Sequence, residues 1–130
     1  MDPERFEGEE LAGMRILIVE DEYLVALEME TMIRALGAEI IGPAGRMDGA
    51  MRLAQEEKID AAVVDLNMDG ETTMRLIDLL ARRGVPFIVT TGYDPSVLPP
   101  SVRPVAFLAK PISLARLKAV AGQLRGARAG

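Results

Sequence analysis

The chain has 130 residues, 49% hydrophobic and 27% charged, the make-up of one ordinary globular domain with no room for a second. Fifteen Lys and Arg against twenty Asp and Glu leave a net charge of −5, a field that repels phosphate backbones and anionic membranes, so direct nucleic-acid and membrane binding are not expected. With no Cys and no His, thiolate, imidazole and Cys/His zinc chemistry are excluded, and carboxylates, hydroxyls, Lys and Arg remain.

Residues 1–13 carry Asp2, Glu4, Glu7, Glu9 and Glu10 with a single Arg5 and no periodicity, and read as a disordered acidic tail. They lack the basic start and apolar core of a secretory signal, and no run reaches the length of a membrane span, so a cytoplasmic location is expected. Ile16-Leu17-Ile18-Val19 is then a short unalternating apolar run, the pattern of a strand buried on both faces of a parallel sheet. Glu22 to Leu36 follows as a helix with Val25, Met29, Met32, Ile33 and Leu36 on one stripe and Gly37 as its stop. Leu24 and Leu27 fall off that stripe and form a candidate docking patch.

A second strand is expected at Glu39-Ile40-Ile41 and a second helix over Met47 to Glu57, with Met47, Ala50, Met51 and Ala54 inward. Ala61-Ala62-Val63-Val64 is the third strand, and Thr72 to Arg83 the third helix, facing the core with Thr73, Leu76, Ile77 and Leu80. Phe87-Ile88-Val89 and Val105-Ala106-Phe107-Leu108 complete the strands. Between them, Gly92 to Pro104 holds four prolines, so the fourth crossover helix is expected to be short or missing. Ser113 caps a last helix with Leu114, Leu117, Val120, Ala121 and Leu124 on its stripe, and Gly126 to Gly130 reads as a frayed end. Strand and helix alternate, which predicts a doubly wound α/β fold over residues 14–125, its five parallel strands in the flavodoxin-like order 2-1-3-4-5.

Such sheets work at the carboxyl ends of their strands, beside the point where strand order reverses. Here those ends carry Glu20-Asp21-Glu22, Asp65-Leu66-Asn67, Thr90-Thr91-Gly92 and Lys110-Pro111. In this strand order Glu20 or Asp21 faces Asp65, and two unit charges about 4 Å apart repel by about 4 kcal/mol at an effective dielectric of about 20. A divalent cation together with Lys110 would balance three carboxylates, and an all-oxygen donor set selects Mg²⁺ or a similarly hard ion. Mg²⁺, carboxylates, a Lys and a Thr hydroxyl make phosphoryl-transfer equipment. Simpler roles exist for each residue: Asp21 as a helix N-cap, Thr91 as a strand-end β-former, Lys110 as a solvated amine, Phe107 as core.

Taken together, the acidic pair Glu20-Asp21, Asp65 after an apolar strand, Thr91 five residues after Pro86, Phe107 three before Lys110, and Lys110-Pro111 resemble the receiver domains of two-component response regulators over residues 15–125. Pro86 to Tyr93 is also similar to the Pro-Phe-x-Phe-Ala-Thr-Gly-Tyr motif of small stand-alone receivers, with Val89 and Thr90 departing from it. The resemblance implies a signalling switch that is no enzyme. Asp65 would accept a phosphoryl group from a sensor histidine kinase. Asp21, Asp65 and the Asn67 backbone carbonyl would hold Mg²⁺, with Glu20 acting directly or through water. Lys110 and Thr91 would contact the phosphoryl group, and Thr91 and Phe107 would be the switch positions. With no output domain after Gly130, the readout is expected to be contact with a downstream protein. Two rivals stand beside this reading. One is a Mg²⁺-dependent phosphohydrolase with an Asp nucleophile, which wants an acid where this chain has Asn67. The other is a degenerate receiver that only binds partners, a reading kept open by Glu20 in place of Asp and by the short Asn67-Met68-Asp69-Gly70 turn.

Overall fold

The apolar runs become five strands of one parallel sheet in the computed structural model, which describes residues 8–68, 70–92 and 98–129. In chain order the elements are β1 (Arg15–Val19), α1 (Tyr23–Ala35), β2 (Glu39–Ala44), α2 (Met47–Glu56), β3 (Ala61–Asp65), β4 (Asn67–Met68), β5 (Glu71–Thr72), α3 (Met74–Arg82), β6 (Phe87–Thr91), β7 (Ala106–Ala109) and α4 (Leu114–Ala129). The sheet order is β2-β1-β3-β6-β7, every neighbour parallel, which is the expected flavodoxin-like order among the five long strands.

Successive side chains on a strand point to opposite faces, so each strand feeds two cores. Leu17, Val19, Ala62, Val64, Phe87 and Val89 face α2 and α3, which bring Ala50, Ala54, Leu76, Ile77 and Leu80. Ile16, Ile18, Ala61, Val63, Ile88 and Leu108 face α1 and α4, which bring Met29, Ile33, Leu117, Ala121 and Leu124. Each such Leu, Ile or Val stabilises the fold by about 1.5–3 kcal/mol on burial. On α1 the inward line runs through Ala26, Met29, Ile33 and Leu36, with Val25 and Met32 half-buried at its edge. Leu24 and Leu27 are exposed as expected, and Tyr23 beside them is 77% exposed.

β2 runs on to Ala44, past the expected Ile41, and three further boundaries differ from expectation. Residues 1–7 of the acidic tail lie outside the described residues, but residues 8–13 are built into the fold. Leu11 is buried in the α1/α4 core and its N–H donates to the Leu36 carbonyl at 2.9 Å. The Arg125 guanidinium donates from Nε to the Glu10 carbonyl at 2.8 Å and also to the Ala12 carbonyl. Gly37 permits this docking: its φ is +97°, and a Cβ there would stand 2.9 Å from the Ala12 Cα. At the other end α4 continues to Ala129, because the inward Leu117, Ala121 and Leu124 pin it and each Gly costs a helix only about 1 kcal/mol. Finally, α3 starts at Met74 rather than Thr72, since Glu71-Thr72 pair antiparallel with Asn67-Met68 around Gly70, at φ +81°. Asp69 in that turn lies outside the described residues.

Between β6 and β7 the described residues contain no helix, in keeping with the prolines. The Val102 N–H closes a turn on the Pro99 carbonyl at 3.0 Å, and Leu98 and Val102 pack on the α2/α3 core. Tyr93 to Val97, including the last residue of the motif similarity, lie outside the described residues. Among the described residues no helix is long and apolar enough to cross a membrane.

Candidate functional site

The sheet register brings the polar strand ends together. Val19, Val64, Val89 and Phe107 form one row across β1, β3, β6 and β7. One residue further on, Glu20, Asp65, Thr90 and Leu108 form the next, turned by alternation toward the α1/α4 side. Lys110 follows β7 on the same side and reaches back across the row: its Nζ lies 2.7 Å from Asp65 Oδ2, 2.8 Å from Glu20 Oε2 and 3.3 Å from Glu22 Oε1. Its backbone N–H donates to the Thr91 carbonyl at 3.0 Å, which ties the lysine's base to the end of β6, and its peptide bond to Pro111 is cis.

Asp65 is buried and held from both sides. Oδ1 accepts the Asn67 N–H at 3.2 Å while Oδ2 accepts from Lys110. The turn behind it is anchored by Thr73, whose fully buried hydroxyl is 2.7 Å from the Asp65 carbonyl oxygen and 3.1 Å from that of Leu66. Glu20 is buried too, with Oε1 accepting the Glu22 N–H at 3.0 Å. Burial raises its pKa to about 7, against the lowering pull of Lys110, so near neutrality this carboxyl exchanges a proton. Burial by itself would lower the Lys110 pKa, but Asp65 and Glu20 outweigh it and hold the amine above its usual range, permanently charged.

Asp21 and Glu22 are exposed, and together with Asp65, Asn67, Gly70, Gly92 and Lys110 they line a cleft of about 440 Å³. Glu20, Asp21, Glu22 and Asp65 offer oxygens that all lie within 4.8 Å of one another. Four carboxylates around one ammonium leave an excess of negative charge, and the donors are hard oxygens at the mouth of an open cleft. That set fits Mg²⁺, which is held by one or two carboxylates and keeps several waters. Glu22 was not singled out among the sequence candidates, although the unbroken acidic run Glu20-Asp21-Glu22 displayed it.

The other expected residues sit nearby with different surroundings. Thr91 ends β6 and is buried, next to the Gly92 that lines the cleft. Asn67 is half-buried and begins the small β4–β5 ladder immediately after Asp65. Phe107 is 37% exposed rather than core: on edge strand β7 it shares the row of Val89, on the opposite face from Asp65.

Comparison with known proteins agrees with this architecture. Residues 16–121 match the family model of the response regulator receiver domain. The chain is 36% identical over 123 residues to the phyllosphere-induced regulator PhyR of Methylorubrum extorquens, covering 89% of this chain and 46% of that protein. It is 33% identical over 109 residues to the transcriptional regulatory protein PdtaR of Mycobacterium tuberculosis, covering 79% and 52%. The chain thus spans about half the length of these curated relatives. The solution structure of SdrG from Sphingomonas melonis Fr1 superposes with a TM-score of 0.76 at 30% identity, covering 88% of this chain and 97% of that one. A parallel sheet in the order 2-1-3-4-5, carboxylates and a lysine gathered at its switch point and a family match across most of its length lead to one conclusion: the chain belongs to the receiver domains of two-component response regulators.

Proposed function

We propose that this receiver is a phosphorylation-dependent switch in which Asp65 takes a phosphoryl group from a histidine kinase and the altered surface is read by another protein. A carboxylate oxygen of Asp65 attacks phosphorus, the bond from phosphorus to the kinase's imidazole nitrogen breaks, and an acyl phosphate remains. The observation that carries the proposal is the setting of Asp65. It is buried at the end of the central strand, oriented through the Asn67 N–H on one oxygen and the Lys110 ammonium on the other, and it opens onto the cleft.

In this reading Asp21, Asp65 and the Asn67 backbone carbonyl hold Mg²⁺, with Glu20 joining directly or through water. The ion supplies charge neutralisation on the transferring phosphoryl oxygens. The chain's own residues do the rest. Lys110 gives up its contact with Asp65 Oδ2 to pair with a phosphoryl oxygen, and being permanently charged it does so at any physiological pH. Thr91 offers its hydroxyl to a second phosphoryl oxygen, drawing the end of β6 toward the site. Phe107, on the adjacent edge strand and already part-exposed, is the surface element that this movement repacks.

Incubation with Mg²⁺ and acetyl phosphate followed by intact mass tests the proposal. A single added phosphoryl group is expected on the wild-type chain and none on Asp65→Asn. An Asp65→Asn protein that still carries the group removes Asp65 as acceptor.

A further inference from the structure

Thr90 carries a hydroxyl that the fold does not use. The residue is 1% exposed, and Oγ1 has no hydrogen-bond partner among the described residues. A hydroxyl removed from water without a partner is costly, and valine has nearly the same shape, so packing gives no reason for the oxygen. Its position supplies one. β6 lies between β3 and β7, and Thr90 is in register with Asp65 on one side and Leu108 on the other. Lys110 starts beyond the end of β7, yet its ammonium reaches Asp65 on β3 and Glu20 after β1. The lysine stem must therefore cross the end of β6, on the face toward which Thr90 points.

We propose that Thr90 is a positioning residue for Lys110, its hydroxyl oxygen being the neutral acceptor beneath the lysine's path. The inference rests on Mg²⁺-dependent phosphorylation of Asp65. The three N–H groups of the ammonium face three carboxylate oxygens, those of Asp65, Glu20 and Glu22. When a cation and a phosphoryl group engage those carboxylates, the amine loses partners at the moment its aim matters. A hydroxyl on the strand it crosses takes one proton in hydrogen bonding and keeps the ammonium over the site. Being uncharged, it adds nothing to the crowded negative charge and does not compete for the cation. In the resting state the carboxylates are stronger acceptors, and the hydroxyl stays unpaired.

Thr90→Val and Thr90→Ser test this, with the wild type as control. The measurements are phosphorylation rate at saturating acetyl phosphate, Mg²⁺ concentration for half-maximal rate, and melting temperature without Mg²⁺. The valine variant is expected to melt no lower than the wild type and to keep its Mg²⁺ requirement, while its maximal rate falls about tenfold, the worth of a hydrogen bond to a charged group. The serine variant should recover most of the rate. A valine variant phosphorylated at the wild-type rate overturns the inference and leaves Asp65 as acceptor untouched. A serine variant as slow as valine, or a valine variant with a lowered melting temperature and a raised Mg²⁺ requirement, shows a packing role and also overturns it. A wild-type chain that takes up no phosphoryl group overturns both this inference and the function on which it rests.

Discussion

Replacing Lys110 by Met keeps most of the apolar stem, one atom shorter, and removes the ammonium with its charge and its hydrogen-bond donors. In the structure that charge stands 2.7 Å from Asp65 and 2.8 Å from Glu20, with side-chain exposures of 17%, 7% and 1% for the three groups. These are buried ion pairs, for which loss of one partner costs about 3–5 kcal/mol because the other is left uncompensated. The remaining repulsion points the same way: carboxylate oxygens no more than 4.8 Å apart oppose each other by about 3.5 kcal/mol or more at an effective dielectric of about 20. A proton on Glu20 is the available relief, and with its pKa already about 7 that relief is at hand at pH 5 but must be forced at pH 8. The expected result in EDTA at pH 8 is therefore a loss of about 3 kcal/mol, or about 10 °C of melting temperature, shrinking toward pH 5. Added Mg²⁺ should recover much of the loss at pH 8, since a divalent cation supplies the missing charge. Urea or thermal unfolding of both proteins at the two pH values measures it directly. A Lys110→Met chain as stable as the wild type at pH 8 in EDTA would refute the electrostatic account of this site.

The Glu20 carboxyl sets two further expectations. Its folded pKa is raised from 4.5 to about 7, so the stability it contributes is complete below pH 4.5 and is lost as pH rises through about 7. Without Mg²⁺, melting temperature should decline across that window in the wild type and decline less in Glu20→Gln, and identical slopes would dismiss Glu20 as the titrating group. Because a ligand must shed its proton to bind a cation, Mg²⁺ affinity measured by calorimetry should rise between pH 6 and 8; an affinity flat over that range would show that Glu20 stays outside the ion's reach. At the N-terminus, Leu11→Ala should cost about 2–5 kcal/mol in urea unfolding, the range for emptying a buried leucine position, and a cost below about 0.5 kcal/mol would mean the turn at residues 8–13 is not docked in solution.

Unalternating runs such as Ile16-Leu17-Ile18-Val19 and Ala61-Ala62-Val63-Val64, set between helical stripes, determined a parallel doubly wound sheet from the sequence alone. A strand buried on both faces has no other pattern open to it. Polar residues directly after those runs likewise marked Glu20, Asp21, Asp65, Thr91 and Lys110, because the carboxyl ends of such strands are where an open sheet leaves room for a site. Tertiary structure decided what no local pattern could. Leu11 is a lone leucine in an acidic stretch, buried only because the end of α1 and the length of α4 converge on it. Phe107 looked like core, and is left part-exposed because it lies on an edge strand. The reach of Lys110 past β6 to Asp65 and Glu20, and the third carboxylate it meets in Glu22, follow from strand order and register. Periodicity reports which face a residue takes within its own element; which charges end within hydrogen-bonding distance is settled only when elements far apart in the chain are laid side by side.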